Sequence, residues 1–443
     1  MTVLQRIAGP AAALAAGALA LFAVSAASAA VEVRKVVSPS GIVAWLVEDR
    51  SNPIVSVSFG FRAGGSYDPP GKEGLAELAS VLLDEGAGPM DALAFQKKLE
   101  KLSIRLNFEV GRDQFRGTLR TLSRNRDAAF ETIGLALSRP RFDADAVERM
   151  RAGLLSTYLR NSRRPRYLAR RTFWSSAYPD HPYGRPVSGT DKSLGAISRA
   201  DLQRFVADNF TRDNLFVGVV GDVTPARLAV LLDKAFGGLP AQQKARPVPA
   251  AAPKLPGGIS VRQFDTPQSV VMFGQPGLPR RHPDYYAAYI LNHILGGGGF
   301  TSRLYLEIRE KRGLAYSVYS YLWPMRRTAL MLGGVATQNA RVAESVAIVR
   351  AEWARMAETG PSAEDLAAAK KFLTGSYPLR FSSSPQIADM LVGLQFEGLE
   401  PDYFAERNGL IERVTLADVR RVAKSLLKPD RLTFFIVGRP AGL

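Results

Sequence analysis

Residues Ile197–Gly221 read ISRADLQRFVADNFTRDNLFVGVVG, and residues Val414–Gly438 read VTLADVRRVAKSLLKPDRLTFFIVG. Both segments open with a hydroxyl residue that is followed three residues later by an aspartate, a pattern that begins amphipathic helices. Each segment then passes through a short turn into an apolar run that is typical of a strand. Two copies of this helix–turn–strand unit indicate that the chain contains two half-length versions of one fold.

A second pair of segments and a proline-rich stretch define the extent of the two copies. Residues Phe142–Arg160 and Pro361–Arg380 both place an acidic helix start before a tyrosine. Between the copies, Leu239–Gly258 contains five prolines among alanines and basic residues, which is typical of a semi-rigid linker. We therefore expect a first domain at residues 31–238, a linker at 239–258 and a second domain at 259–443.

Strand and helix patterns mix within each half of the chain. Residues Ile54–Phe61 and Ser269–Phe273 alternate between apolar and polar side chains, as strands do. Helical patterns cover Ala92–Leu102, Ala128–Ser138, Ala144–Leu159, Arg341–Glu358 and Ala363–Phe372. Strands with helices packed to one side make an α+β domain, so we expect an α+β fold in each half.

Residues 1–30 have the pattern of a secretory signal peptide. Arg6 gives a positive start, Ala11 to Val24 form an apolar run, and Ala27-Ser28-Ala29 fits the small-residue cleavage site. A retained membrane anchor is the alternative, but a run rich in alanine that ends in small residues favours cleavage. No later stretch is long and apolar enough to span a bilayer. We expect a periplasmic protein with no stable transmembrane anchor.

The chain is strongly basic, with a formal net charge of +17, and it contains no cysteine. Its densest basic run comprises Arg163, Arg164, Arg166, Arg170 and Arg171. No nucleic-acid-binding motif accompanies this run, so we expect no nucleic-acid partner. A solvated helix face or an interface rim is the ordinary interpretation, and attraction to an acidic partner or an anionic membrane surface is the use that the charge suggests.

Residues Glu73–Glu85 carry a helical apolar stripe, but their other positions lack the groups that bind zinc. Two histidines at positions i and i+4 of a helix can hold one zinc ion, with a nearby carboxylate as general base. This segment instead carries Glu77, Ser80 and Val81, of which valine cannot ligate and serine is a poor ligand. Since the chain has only three histidines and no cysteine, we expect it to bind no metal by itself.

Four glycines, Gly296–Gly299, allow the chain to turn before a helix that we expect Thr301 or Ser302 to cap and Gly313 to end. No Lys-Ser or Lys-Thr follows the glycines, so the stretch is not a phosphate-binding loop. Residues Leu314–Tyr321 then alternate as a strand.

The first half of the chain contains RAGGSYDPPG at Arg62–Gly71 and HPYGRP at His181–Pro186. The second half contains GGGGFTSRL at Gly296–Leu304 and LEIREKRGLAY at Leu306–Tyr316. These four segments resemble the M16 peptidases, zinc enzymes also called pitrilysins or inverzincins, whose metal motif is H-x-x-E-H. The first segment resembles the approach to the metal helix, the second resembles a loop of the family, and the last two are similar to its C-terminal domain. The resemblance implies two homologous M16-like (LuxS/MPP-like) α+β domains that form half of a clamshell.

The resemblance also implies that the zinc motif is degenerate. Glu77 and Val81 stand where the family has its two histidines, and Ser80 stands where it has the catalytic glutamate. Glu148 lies in the helix that carries the third zinc ligand of the family, and one carboxylate cannot hold zinc alone. The zinc is then expected in a partner subunit that keeps H-x-x-E-H.

Active members of the family keep an arginine and a tyrosine, seven residues apart, that reach across the clamshell to the substrate. Arg309 and Tyr316 have this spacing and this sequence context. A tyrosine hydroxyl can donate to the oxyanion that forms when water attacks a peptide carbonyl, and an arginine can hold the peptide or orient the tyrosine. A salt-bridged arginine and a half-buried strand tyrosine are the structural alternative.

Two hypotheses of function follow from the resemblance. In the first, this chain is the zinc-free subunit of a periplasmic heterodimeric M16 zinc endopeptidase and contributes Arg309 and Tyr316 in trans to the active site of its partner. The substrates would be peptides. In the second, the chain is a non-enzymatic M16-like assembly or binding protein of the cell envelope, and the pair has no catalytic use.

Overall fold

Two β-sheets, one from each half of the chain, organise the structure. The computed structural model describes residues 32–443, so the expected signal peptide at residues 1–30 lies outside the described residues. The strands of the first half are β1 (Arg34–Val37), β2 (Val43–Glu48), β3 (Ile54–Phe61), β4 (Gly86–Ala87), β5 (Met90–Asp91), β6 (Arg105–Val110), β7 (Phe115–Leu122) and β8 (Leu215–Gly221). The strands of the second half are β9 (Gly258–Gln263), β10 (Gln268–Pro276), β11 (Ala315–Pro324), β12 (Ala329–Gln338) and β13 (Thr433–Gly438).

The two large sheets have the same topology. The first has the order β1-β2-β8-β3-β7-β6, and the second has the order β11-β12-β10-β13-β9. In the first sheet β2 runs parallel to β8, and in the second β9 runs parallel to β13, while the other pairings are antiparallel. With the extra strand β1 set aside, each strand of one sheet therefore has a counterpart in the other.

Helices cover these sheets and carry the site residues. They are α1 (Leu75–Ser80), α2 (Ala92–Lys101), α3 (Arg126–Ser138), α4 (Ala144–Asn161), α5 (Pro165–Ala177), α6 (Asp191–Gly195), α7 (Arg199–Asn209), α8 (Pro225–Phe236), α9 (Tyr285–Asn292), α10 (Arg303–Tyr305), α11 (Val342–Thr359), α12 (Ala363–Gly375), α13 (Ser384–Phe396), α14 (Tyr403–Glu412) and α15 (Leu416–Leu426). No helix within residues 32–443 is both long enough and apolar enough to cross a membrane.

One helix from each half crosses over to the sheet of the other half. Helix α5, from the first half, packs on β10 and β13, where Phe173 meets Phe435 with ring centroids 5.5 Å apart. Helix α13, from the second half, packs on β3 and β8, where Phe396 meets Phe216 at 4.6 Å. Each sheet thus depends on a helix of the other half to bury one of its faces.

The same phenylalanine–glycine pair lies at the centre of both sheets. Phe59 of β3 is opposite Gly117 of β7, and Phe273 of β10 is opposite Gly333 of β12. In both pairs the phenylalanine ring occupies the space that a Cβ on the glycine would take. Both phenylalanines are fully buried, so the repeat extends from backbone topology to the packing of the core.

The expected α+β fold is confirmed, together with its local signals. Ser198 and Asp201 form a reciprocal capping box at the start of α7, and Thr415 and Asp418 form the same box at the start of α15. The predicted strand Ile54–Phe61 has the observed bounds. The predicted domain limits of 31–238 and 259–443 stay a prediction.

One local expectation was wrong. The helix predicted at residues 73–85 is shorter, because after Ser80 the backbone hydrogen bonds shift to tight turns such as Leu82 N–H to Ala79 C=O at 3.1 Å. Tight turns and an α-helix can bury the same leucines, so the apolar stripe does not distinguish one structure from the other. Within the stretch that is predicted to be a semi-rigid linker, Val248 and Leu255 are buried against the α5 region.

Candidate functional site

Helix α1 is held at its start by a buried aspartate. The carboxylate of Asp68 accepts hydrogen bonds from the backbone N–H groups of Gly74 at 2.8 Å and Ala76 at 3.0 Å. Asp68 is almost fully buried, and burial raises the pKa of its carboxyl to about 8, although the hydrogen bonds from N–H groups that lack helical partners oppose this rise. The degenerate motif therefore lies on a well-fixed helix, and its inability to bind zinc comes from its side chains.

The donor groups of α1 do not fit a zinc ion. The Ser80 hydroxyl donates to the backbone carbonyl of Glu77 at 2.8 Å, so it is used inside the helix. Val81, just after the helix, packs against the apolar core and offers no ligand atom. Burial raises the pKa of the Glu77 carboxyl, which favours the protonated acid over the anionic ligand that zinc prefers.

Glu148, the residual third-ligand position, is directed to solvent. It lies in α4 with 70% of its side chain exposed, and it forms an ion pair with Arg151 at 3.3 Å. Within residues 32–443, no group of three or more histidine, cysteine, aspartate or glutamate side chains is arranged to hold a metal ion. The donor chemistry of this chain therefore does not supply a zinc site at the degenerate motif.

Replacing this partly buried acid by its amide, Glu77→Gln, is expected to stabilise the protein at neutral pH. The folded-state pKa of Glu77 is raised, so its contribution to stability is fully present below the unfolded pKa and is lost as the pH rises through the folded pKa. The thermal midpoint of Glu77→Gln should exceed that of the parent at pH 8, and the difference should vanish below about pH 4. The exposed control Glu100→Gln should show no such trend, and a pH-independent difference for Glu77→Gln would contradict the expectation.

Arg309 lies in an irregular helical turn that follows α10. Residues Leu306–Glu310 form a π-turn, in which Lys311 N–H donates to the carbonyl of Leu306 at 3.0 Å. The turn ends at Gly313, whose φ of 57° lies in the left-handed region that glycine adopts without strain. Ser302 lies at the N-cap position of α10, as expected. Its hydroxyl, however, donates to the backbone carbonyl of Gly299 at 2.8 Å and makes no capping hydrogen bond to the helix.

Tyr316 lies in a β-bulge at the start of β11. Ala315 pairs with Thr337 and Val318 pairs with Val335, so β11 has one residue more than β12 over this stretch. A bulge of this kind redirects side chains, and bulges are frequent beside active sites. Both residues inside it, Tyr316 and Ser317, are exposed.

The π-turn and the bulge bring Arg309 and Tyr316 together. The guanidinium carbon of Arg309 lies 4.8 Å from the centre of the Tyr316 ring, 4.9 Å from that of Tyr305 and 5.9 Å from that of Phe300. Tyr316 is 84% exposed, and its hydroxyl bonds to no other group of the described chain. Arg309 has one nearby carboxylate, that of Glu310 at 4.0 Å.

This arrangement offers a hydroxyl donor and a cation to a partner or a substrate. Cation–π contact with three rings fixes the guanidinium, and the guanidinium in turn fixes the exposed Tyr316 ring. Phe300 and Tyr305 complete this cluster and are not among the site residues predicted from the sequence. An aromatic residue just after the glycine run, and a second one five residues later, were the available signal.

The fold and the site define an α+β protein of metallopeptidase architecture whose zinc positions cannot hold zinc. Residues 196–373 match the family model described as "Peptidase M16 inactive domain". A Helicobacter pylori protein named "Non-peptidase homolog YmxG" is 29% identical over 391 residues, which are 88% of this chain and 90% of that protein. The chain is thus similar to the M16 peptidases, and in particular to M16-like proteins that are described as inactive or as non-peptidases.

Two solved structures are also similar to this chain. The crystal structure of the peptidase M16 inactive domain from Pseudomonas fluorescens has a TM-score of 0.86 at 28% identity, covering 93% of this chain and 98% of that one. The crystal structure of a protease from Helicobacter pylori has a TM-score of 0.84 at 20% identity, covering 92% and 99%. The second likeness shows the fold alone.

Proposed function

We propose that this chain is the zinc-free subunit of a periplasmic heterodimeric M16 zinc endopeptidase. Its partner would be an M16 subunit that carries H-x-x-E-H and the zinc ion. This chain would supply Arg309 and Tyr316 to the partner's active site, where they bind the peptide and stabilise the transition state.

The observation that carries the proposal is that Tyr316 is exposed to solvent while its ring is held in place by the Arg309 guanidinium. A tyrosine that served only to pack β11 would bury its ring, but Tyr316 is 84% exposed and is held by Arg309. Both residues sit in irregular backbone, a π-turn and a β-bulge, which frequently occur at functional sites. An exposed hydroxyl held in one place is the kind of donor that stabilises an oxyanion.

The degenerate motif supports the division of labour between two chains. Glu77, Ser80 and Val81 cannot supply the metal, so the water that attacks the peptide has to be activated elsewhere. The sequence features that suggest export, at residues 1–30, support a periplasmic location for the pair.

Isolation of the native complex tests this proposal directly. The full chain, tagged at its C-terminus and expressed in its own host, is recovered from the periplasmic fraction beside an untagged control strain. We expect an M16 subunit with H-x-x-E-H in equal amount, and a peptidase activity that a chelator removes and zinc restores. Recovery of the chain alone, or with an envelope assembly that has no peptidase activity, would overturn the proposal in favour of a non-enzymatic binding protein.

A further inference from the structure

A groove of about 440 Å³ lies between the start of α5 and the outer strand of the second sheet. One wall carries Arg164, Arg166 and Arg170, and the other carries Tyr319 and aromatic neighbours on β11. These arginines belong to the dense basic run that the Arg309–Tyr316 site does not use.

The aromatic wall is a continuous row of rings along β11. Tyr319 and Tyr321 are stacked with centroids 6.0 Å apart, and Tyr321 contacts Trp323 at 5.8 Å. Trp323 is in turn supported by Trp174 of α5 at 5.3 Å. The row is therefore a fixed surface against which an extended chain can pack.

The other wall carries positive charge that the protein leaves uncompensated. No aspartate or glutamate lines the groove. Along residues 32–443, no carboxylate forms an ion pair with Arg164, Arg166 or Arg170, and the Nη1 atom of neighbouring Arg171 is buried with no hydrogen-bond partner. Like charges gathered beside a helix N-terminus repel one another, so an anionic ligand would relieve the repulsion.

The spacing of the arginines suits an extended peptide better than one compact anion. Arg164 and Arg170 are six residues apart at the start of α5, which is about 9 Å along a helix. Three residues of an extended peptide span about 10 Å, so alternate acidic side chains can meet successive guanidinium groups. Strand β11 is also at the edge of its sheet, with β12 as its partner among the described strands.

We propose that this groove binds an acidic segment of the peptide substrate. The inference rests on the proposed function, because the groove begins beside the catalytic pair: Ser317 lines it and shares the bulge with Tyr316. Carboxylates of the substrate pair with Arg164, Arg166 and Arg170, and its backbone packs on the aromatic row. The substrate class is thus a peptide with acidic residues a short distance from the bond that is cut.

Fluorescence anisotropy of the full purified chain tests the groove without its partner. The probes are a labelled ten-residue peptide with alternating glutamates and the same peptide with glutamines. We expect the glutamate probe to bind, with an affinity that falls as salt rises. Combining Arg164→Gln, Arg166→Gln and Arg170→Gln should raise its Kd about tenfold, since three exposed ion pairs are lost.

A matched triple variant separates the groove from general charge. Arg124, Arg204 and Arg413 are exposed, have no ion pair within the described chain and do not line the groove. Their combined replacement by glutamine should leave the Kd unchanged. Equal weakening by both triple variants, equal binding of both probes, or displacement of the glutamate probe by an equal concentration of pyrophosphate would overturn the proposal.

The groove proposal and the proposed function are tested by different experiments, so the failure of one can be told from the failure of the other. In the assembled heterodimer, the groove variant should slow cleavage of the glutamate peptide and leave cleavage of the glutamine peptide unchanged. Loss of this difference would overturn the groove alone. Isolation of the native chain without an M16 partner, while the purified chain binds the glutamate probe, would overturn the heterodimer alone, because the binding measurement needs no second subunit.

Discussion

Replacement of Tyr316 by phenylalanine is expected to lower the peptidase rate of the assembled heterodimer by about 10²–10³-fold, the usual effect of removing one oxyanion donor. The change removes the hydroxyl and keeps the ring, so the contact with Arg309 at 4.8 Å is preserved. Because that hydroxyl bonds to nothing in the described chain, the loss would arise in the transition state and not in the fold. The measurement is kcat on a short peptide, with size-exclusion chromatography to confirm assembly.

Tyr158→Phe is the matched control for this experiment. Tyr158 lies in α4 of the first half, far in sequence from the pair, and its hydroxyl likewise has no hydrogen-bond partner among residues 32–443. Its removal should leave kcat unchanged. If Tyr316→Phe also leaves kcat unchanged in an assembled complex, the pair is not catalytic, and the chain serves only to complete the assembly.

Gly218→Val is expected to destabilise the protein by about 3 kcal/mol, as severe overpacking does. A Cβ on Gly218 of β8 would lie 2.6 Å from the carbonyl oxygen of Ala388 and 2.8 Å from the Cβ of Leu391, both in α13. These are backbone and near-backbone atoms, so α13 would have to move away from the first sheet. Strand propensity alone predicts that Gly218→Val increases the stability of the protein, since valine is a better strand former than glycine.

Gly153→Ala supplies the contrast for this prediction. Gly153 lies inside α4, and a Cβ there meets no atom within 4 Å. Alanine in a helix interior should raise stability by about 0.5–1 kcal/mol. Denaturant unfolding of both variants is the measurement, and a stabilised Gly218→Val would show that α13 does not lie against β8 in solution.

The sequence predicted those parts of the fold that depend on neighbouring residues. The capping boxes at Ser198 and Thr415 are local, and so is the alternation of Ile54–Phe61, and all three are observed. The crossing of α5 and α13 was not predicted. A helix buried against the sheet of the other half has the same apolar period as one buried against its own, so no pattern distinguishes them.

Prediction of the site from the sequence is limited for the same reason, namely that its geometry depends on contacts between distant residues. The seven-residue spacing identified Arg309 and Tyr316, but spacing gives no distance once the chain reverses at Gly313. The π-turn and the bulge arise from how the chain fits between a helix and a sheet, and the apolar alternation that predicted β11 passes through the bulge unnoticed. The contacts of Phe300 and Tyr305 with Arg309 become visible only in the structure.

The exchange of α5 and α13 has a consequence for how such a chain can arise. A polypeptide of half this length would carry its crossing helix with no sheet of its own to receive it, and its sheet would expose an apolar face to water. Two identical copies would satisfy both needs by trading helices across a twofold axis, as domain-swapped dimers do. The chain has the architecture of such a dimer joined into one polypeptide, and the connection between the two halves runs from α8 to β9.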